Sequence, residues 1–314
     1  MVSSHDRPVR LRWLLNALAE QTVAPEDLEV IVAHDAGASE TQHLLAEHPL
    51  ALTGHLRALA FAPGSVGPSA KRDAGWRAAR APLILFTDDD CRPPPDWVAR
   101  ARAAARAHPG NIIQGATRSD PDEADVLRGA PWAHTVIVEP PTVWAQTCNI
   151  VYPRELLERI DGFDHALGVG EDTDLARRAI RTGAQLVADP ELLTYHAVLP
   201  AGLPGALRSL GRWGDMALLI KRHPDLRRHV FAGIWWKAEH AALAAAVTGT
   251  VLGRRQRRSA LLAVPWVAMA MRHRGYGPRG LLRSLSELPG RAAIDAVETA
   301  VLAAGSVRHR TVLL

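Results

Sequence analysis

Apolar positions along the first 200 residues switch repeatedly between a helical and an extended rhythm. Leu11, Leu14, Leu15 and Leu18 recur every three to four residues and predict a helix over Val9–Gln21, closed off by Pro25. The run Leu28–Ala33 reads as a strand, Ser39–Glu47 as a helix and Leu56–Phe61 as a short strand. Pro63–Pro68 is rich in turn formers; a helix follows over Ser69–Ala79 and a buried-type strand over Leu83–Phe86. The alternation continues with a helix over Asp96–His108, a strand beginning at Ile112-Ile113 and a strand over Thr147–Tyr152 that Pro153 ends. A short helix over Arg154–Ile160, a turn at Gly162-Phe163, a helix opening at Glu171 and a small strand over Leu186–Ala188 complete it. Strand–helix alternation of this kind implies a doubly wound α/β sheet whose strands run parallel.

Beyond Leu203 the rhythm becomes helical throughout, which divides the chain into a sheet domain over residues 1–200 and a helical region over 201–314. Ala241–Gly253 and Ser259–Met271 are uncharged apolar runs of 13 residues each, below the roughly 17–25 residues that a membrane-spanning helix needs. Arg254-Arg255-Gln256-Arg257-Arg258 separates them, and Trp235 and Trp236 precede them. This suits a re-entrant hairpin or interfacial helices on anionic lipid, and equally a helical packing domain with a solvated arginine turn. One or two amphipathic helices, such as Leu288–Ala304, follow.

Composition narrows the class. The chain of 314 residues is 47% hydrophobic and 22% charged, as globular proteins are, and its net charge of +4 does not by itself argue for nucleic acid. Nearly all the positive charge is arginine; Lys71, Lys221 and Lys237 are the lysines. Cys91 and Cys148 form neither a metal motif nor a disulfide framework and read as reduced cytosolic thiols. The N-terminal stretch has no apolar core of a signal peptide, so a cytoplasmic location is expected.

The candidate chemistry gathers where strands end. Asp88, Asp89 and Asp90 follow the strand Leu83–Phe86 after Thr87, and Pro93-Pro94-Pro95 come after Cys91-Arg92. Adjacent carboxylates repel unless a cation sits among them, and Mg²⁺ or Mn²⁺ commonly bridges such a group to a diphosphate. The other reading is a solvated turn with Asp90 or Asp96 capping the next helix. Asp35 also follows a strand, and parallel strands would bring it to the same edge, where open α/β sheets bind ligands. Lys71 and Arg72 open a helix whose dipole they oppose, which suggests a ligand or a carboxylate beside them, or plain surface cations. Gly168-Val169-Gly170-Glu171-Asp172-Thr173-Asp174 places acids in a first helical turn, either as dipole partners or as a general base at a pocket mouth.

Taken in order, these stretches resemble the family 2 glycosyltransferases, of GT-A fold, over about residues 1–200. The resemblance is carried by His5-Asp6-Arg7-Pro8, Glu29-Val30-Ile31-Val32 with Asp35, Lys71-Arg72-Asp73-Ala74-Gly75, Phe86-Thr87-Asp88-Asp89-Asp90, Gly162-Phe163-Asp164 and Gly170–Leu175. It implies a mixed, doubly wound sheet with a Rossmann-like nucleotide-binding half. It also implies an inverting transfer of a sugar from a nucleotide-diphosphate donor with Mn²⁺ or Mg²⁺. Asp35 resembles the acid that reads the nucleotide base, Arg72 a basic residue near it, and Asp89 the ribose-binding carboxylate. Asp90 is similar to the metal ligand, with Asp88 the other end of its D-x-D, and His196 to a late histidine near the diphosphate. Asp172 resembles the base that deprotonates the acceptor, with Glu171 the second candidate.

Three departures stand out. Only Met1–Ser4 precede the His-Asp-Arg-Pro stretch, where the family carries its first strand. His34 replaces the usual acid before Asp35. Ser209-Leu210-Gly211-Arg212-Trp213 has serine where processive synthases carry glutamine, which favours a non-processive enzyme. The expected acceptor is a cell-envelope or lipid-linked glycan at the inner membrane face. A catalytically silent nucleotide-sugar scaffold and a nucleotidyltransferase on a similar sheet are the competing readings.

Overall fold

The computed structural model describes residues 1–37, 39–253, 257–274 and 277–314. The chain divides into two compact units, Met1–Gly129 with Ala133–Pro200, and Ala130–Trp132 with Ala201–Leu314.

In the first unit the strands are β1 (Val2–Ser4), β2 (Val30–His34), β3 (Leu56–Ala60), β4 (Leu83–Asp88), β5 (Cys91–Arg92), β6 (Ile112–Ser119), β7 (Asn149–Pro153) and β8 (Leu186–His196). Among the described residues they form one sheet in the order β3-β2-β1-β4-β7-β6-β8-β5. The pairs β3/β2, β2/β1, β1/β4 and β6/β8 are parallel. β7 runs antiparallel to β4 and β6, and β5 antiparallel to β8, so the sheet is mixed. Helices α1 (Pro8–Ala19), α2 (Ser39–Glu47), α3 (Pro49–Leu52), α4 (Pro68–Ala78), α5 (Trp97–Ala107), α6 (Ala124–Gly129), α7 (Arg154–Arg159) and α8 (Glu171–Arg181) connect the strands.

The alternation of the strands builds two cores, one on each face. Leu83 and Leu85 of β4, Ile113 and Val151 pack with Leu11, Leu14 and Trp97 on one side. Ile84 and Phe86 of β4, Ile112, Ile150 and Tyr152 pack with Trp76 and Leu175 on the other.

Three departures from the pattern have local causes. The three-residue stretch Val2–Ser4 is a strand at the centre of the sheet, because β2 and β4 offer it ladder partners on both sides. It pairs only at Val32–His34 and Thr87–Asp88. Beneath it, Leu28, Val30, Leu83, Leu85, Trp97 and Ala101 are among the residues lining an apolar cavity of about 400 Å³. The strand from Leu186 runs on to His196 across a register shift at Gly115/Ala116 of β6. A Cβ at Gly115 would lie 2.2 Å from the Leu192 carbonyl oxygen, so only glycine admits this approach. Cys91-Arg92 forms β5 between the acidic triplet and the prolines, since β8 supplies its ladder.

The second unit contains α9 (Leu203–Ser209), α10 (Met216–Arg222), α11 (Ala238–Gly253), α12 (Val264–Met271) and α13 (Pro278–His309). Ala242, Ala246, Trp266 and Ala270 form a small core with Leu288 and Ala292 of α13. The run Ala241–Gly253 lies within α11, whereas Ser259–Met271 splits into a 3₁₀ stretch and α12. Pro265 falls in the first turn of α12, where its missing N–H costs nothing. A single helix of 32 residues spans Leu288–Ala304 and holds Pro289 in its interior. Arg254, Arg255 and Gln256 of the basic stretch lie outside the described residues. No helix among the described residues is long and apolar enough to cross a membrane.

Candidate active site

The parallel strands β2, β1 and β4 end at one edge, which brings Asp35, Ser4-His5 and Asp88–Asp90 together. Asp35, Asp89 and Asp90 are all buried and Asp88 is half-buried. Such a cluster requires compensating positive charge, and the chain supplies it from three directions.

Lys71 on α4 reaches under β1 to Asp35 Oδ1 at 2.6 Å and to the Ser4 carbonyl at 3.0 Å. His5 Nδ1 lies 2.8 Å from the same carboxyl, and the Gly64 N–H donates to its other oxygen. Burial alone would raise the Asp35 pKa; the bonds from Lys71 and His5 outweigh it and hold the group at about 2. Lys71, rather than Arg72, is thus the cation at Asp35.

Arg72, next along α4, points elsewhere. Its guanidinium donates 2.7 Å to Glu171 Oε1 and 3.0 Å to Asp88 Oδ1, joining the end of β4 to the start of α8. Gly170 caps α8 with φ 78°, a left-handed conformation that lets Glu171 and Asp172 turn out of the preceding loop. Asp172 accepts 2.8 Å from the Thr173 N–H. Burial, then the neighbouring Glu171 charge, pushes the Asp172 pKa up to about 7, with Arg72 partly opposing. A carboxyl poised near neutrality suits a group that must take a proton and give it up again.

Asp89 faces inward. Its Oδ2 accepts from Ser4 Oγ at 2.8 Å and from the His5 N–H at 3.2 Å, and its Oδ1 from Arg7 at 3.3 Å. Burial raises it to about 6 despite Arg7. Arg7 also holds Asp90 Oδ2 at 2.5 Å.

Asp88, Asp90 and His196 each offer one ligand atom, and these atoms lie within 4.8 Å of one another. His196 ends β8, and the β5/β8 pairing sets it against Cys91, directly after the triplet. Its Nδ1 lies 2.8 Å from the Ala197 carbonyl and 3.3 Å from Thr135 Oγ1. Nε2 lies 3.4 Å from Asp90 Oδ1. Two carboxylates with one imidazole make an acceptable donor set for a divalent metal.

Other motif residues fasten the site to the fold. Asp73 accepts from Trp76 Nε1, the Phe163 N–H and His165 Nε2, tying α4 to the Gly162-Phe163 turn. Asp174 holds Arg178, which donates to the Ile160 and Gly162 carbonyls. Thr173 Oγ1 donates to the Trp144 carbonyl, placing that loop beside α8. Arg7 and Ser4 were not assigned roles from sequence. The available signal was charge balance: three adjacent carboxylates call for a cation, and Arg7 follows a strand that ends at the same edge.

Comparison with known proteins bears on the family and the fold. The profile of the family described as "Glycosyl transferase family 2" matches residues 1–162. The validoxylamine A glucosyltransferase of Streptomyces hygroscopicus subsp. limoneus is 26% identical over 267 residues, covering 74% of this chain. The chain spans only 58% of that relative's length. The succinoglycan biosynthesis protein ExoO of Rhizobium meliloti (strain 1021) is 26% identical over 271 residues, covering 81% of this chain and 72% of its own. Among solved structures, the mannosyltransferase PcManGT of Pyrobaculum calidifontis, in complex with GDP-Man and Mn²⁺, superposes with a TM-score of 0.56 at 20% identity. That match covers 98% of this chain and 85% of the other. At that identity the likeness is one of fold, the GT-A-type mixed sheet. With the family profile matching residues 1–162 of 314, just over half of the sequence, the chain belongs to glycosyl transferase family 2.

Proposed function

We propose that the protein transfers a sugar, with inversion, from a nucleotide-diphosphate donor to an acceptor hydroxyl in a single non-processive step. The observation that carries this reading is the Arg72 bridge, which joins Asp88 on the donor side to Glu171, the neighbour of Asp172, on the acceptor side. Asp35, with Lys71 and His5 around it, would meet the nucleotide base. Asp89 is assigned to holding Ser4, His5 and Arg7 in position, with its remaining acceptor capacity left for the ribose.

Asp88, Asp90 and His196 would hold the metal, and the mixed oxygen and imidazole set favours Mn²⁺ over Mg²⁺. Bound there, the ion would offset the negative charge that develops on the leaving diphosphate. Asp172 takes the proton of the acceptor hydroxyl as its oxygen bonds to the anomeric carbon. The bond from that carbon to the diphosphate breaks, and the electron pair leaves with the nucleoside diphosphate. The relative that takes part in succinoglycan biosynthesis supports an acceptor that is a cell-envelope or lipid-linked glycan. Such an acceptor would be met at the cytoplasmic face of the membrane.

The test is a panel of UDP-, GDP- and dTDP-sugars with Mn²⁺ or Mg²⁺, scored for nucleoside diphosphate release. One donor should be turned over, and Asp172→Asn should slow that turnover by at least about a hundredfold. Turnover undiminished by Asp172→Asn would remove the assignment of the base, and turnover indifferent to EDTA would remove the metal.

A further inference from the structure

Between Glu239 and Glu287 the chain carries eight arginines and no acidic residue, twice the net charge of +4 of the whole sequence. The same segment concentrates exposed apolar side chains. Val247, Val251 and Leu252 on α11, Leu261 and Leu262 after it, Val264 and Val267 on α12, and Leu281, Leu282 and Leu285 on α13 are all exposed. Globular surfaces carry single exposed leucines without consequence; ten exposed large apolar residues within 39 positions are a concentration that points to an interaction.

These residues sit on a formed helical cluster. Ala246, Trp266 and Ala270 bury the inner faces of α11 and α12. A Cβ at Gly249 would meet the Ser259 carbonyl oxygen at 2.3 Å, so α11 lies backbone-close to the stretch that follows it. Buried Glu287 already engages Arg274, Arg283 and Arg291. Arg258, Arg272 and Arg279 are exposed and have no ion-pair partner among the described residues. The exposed side chains of this segment are therefore apolar and cationic together.

We infer that this face of the helical unit docks on an anionic lipid bilayer, its leucines and valines entering the headgroup boundary and its arginines meeting lipid phosphates. A second copy of the chain is a poor occupant, because two such faces would oppose like charges. A bilayer matches both properties, since apolar burial and attraction to anionic lipid add in interfacial binding. The short helices lie on the surface and do not cross it. The inference gives the proposed transferase a partner, and rests on that reading only for what the docking is for.

The experiment is co-sedimentation of the full chain with vesicles of phosphatidylcholine, with and without phosphatidylglycerol. Binding is expected only with phosphatidylglycerol and should weaken as salt is raised. Replacing Arg258, Arg272 and Arg279 together by Gln should weaken partitioning by about a hundredfold. Leu282→Asp, at a position 69% exposed and so without a folding role, should weaken it by at least about tenfold. No binding to anionic vesicles, binding unaffected by both variants, or a dimer that Leu282→Asp dissolves in the absence of vesicle binding would each overturn the inference. Nucleoside diphosphate release by the unmodified protein without vesicles tests the transferase reading separately.

Discussion

Arg72→Ala is the most searching perturbation of the site, because one guanidinium serves three carboxylates. Its side chain is 10% exposed and its two bonds, 2.7 Å to Glu171 and 3.0 Å to Asp88, are charge-assisted. Removing one partner of a buried ion pair costs about 3–5 kcal/mol, chiefly because the abandoned charges stay buried. For a sheet unit of this size that corresponds to a Tm lower by roughly 6–20 °C. A second effect has its own sign. Arg72 lowers the Asp172 pKa against burial and Glu171, so without it the value rises above about 7. A base must be ionised to act, so the ascending limb of kcat/KM against pH should move upward by roughly one unit or more. Arg72→Lys keeps the charge but not the fork, so the limb should stay near neutrality while part of the stability is lost. Thermal denaturation followed by circular dichroism and the pH profile of nucleoside diphosphate release read the two effects independently. If Arg72→Ala leaves both Tm and the limb where they were, the bridge between donor and acceptor sides does not operate.

Asp172→Asn should lower kcat by at least about a hundredfold, the usual share of a general base, while donor affinity measured by calorimetry stays within about twofold. Asp90→Asn and His196→Ala should each weaken Mn²⁺ binding by about tenfold or more, read by calorimetry, and a change confined to one of them would shrink the ligand set. Asp35 titrates at about 2 in the folded chain against 3.8 when unperturbed, so its stabilisation is complete above pH 3.8 and is lost as pH falls through about 2. Asp35→Asn should accordingly cost about 2 kcal/mol at neutral pH and little near pH 2, as urea titrations at both values would reveal. Ala101 lines the cavity beneath β1, and Ala101→Val should raise stability by about 1 kcal/mol; a fall would mean that the space cannot take two more carbons.

Much of this molecule is written locally. Leu11, Leu14, Leu15 and Leu18 specify a helix face, and Leu83–Phe86 a strand buried on both sides, because periodicity and burial depend on neighbours in sequence. The acidic triplet and the glycine-opened helix at Glu171 are likewise visible as candidate chemistry before any fold is known. What the sequence could not determine are relations between distant residues. That Val2–Ser4, one valine and two serines, forms a central strand follows from the free ladders of β2 and β4, not from its own length or character. That Lys71 serves Asp35 while Arg72 turns to Asp88 and Glu171 depends on how α4 lies beneath the sheet edge. His196 meets Asp90 only because β8 runs eleven residues and pairs with a two-residue strand that no propensity would predict. Charge balance at a buried site is a sum over all groups brought close together, and that sum exists only once the chain has folded.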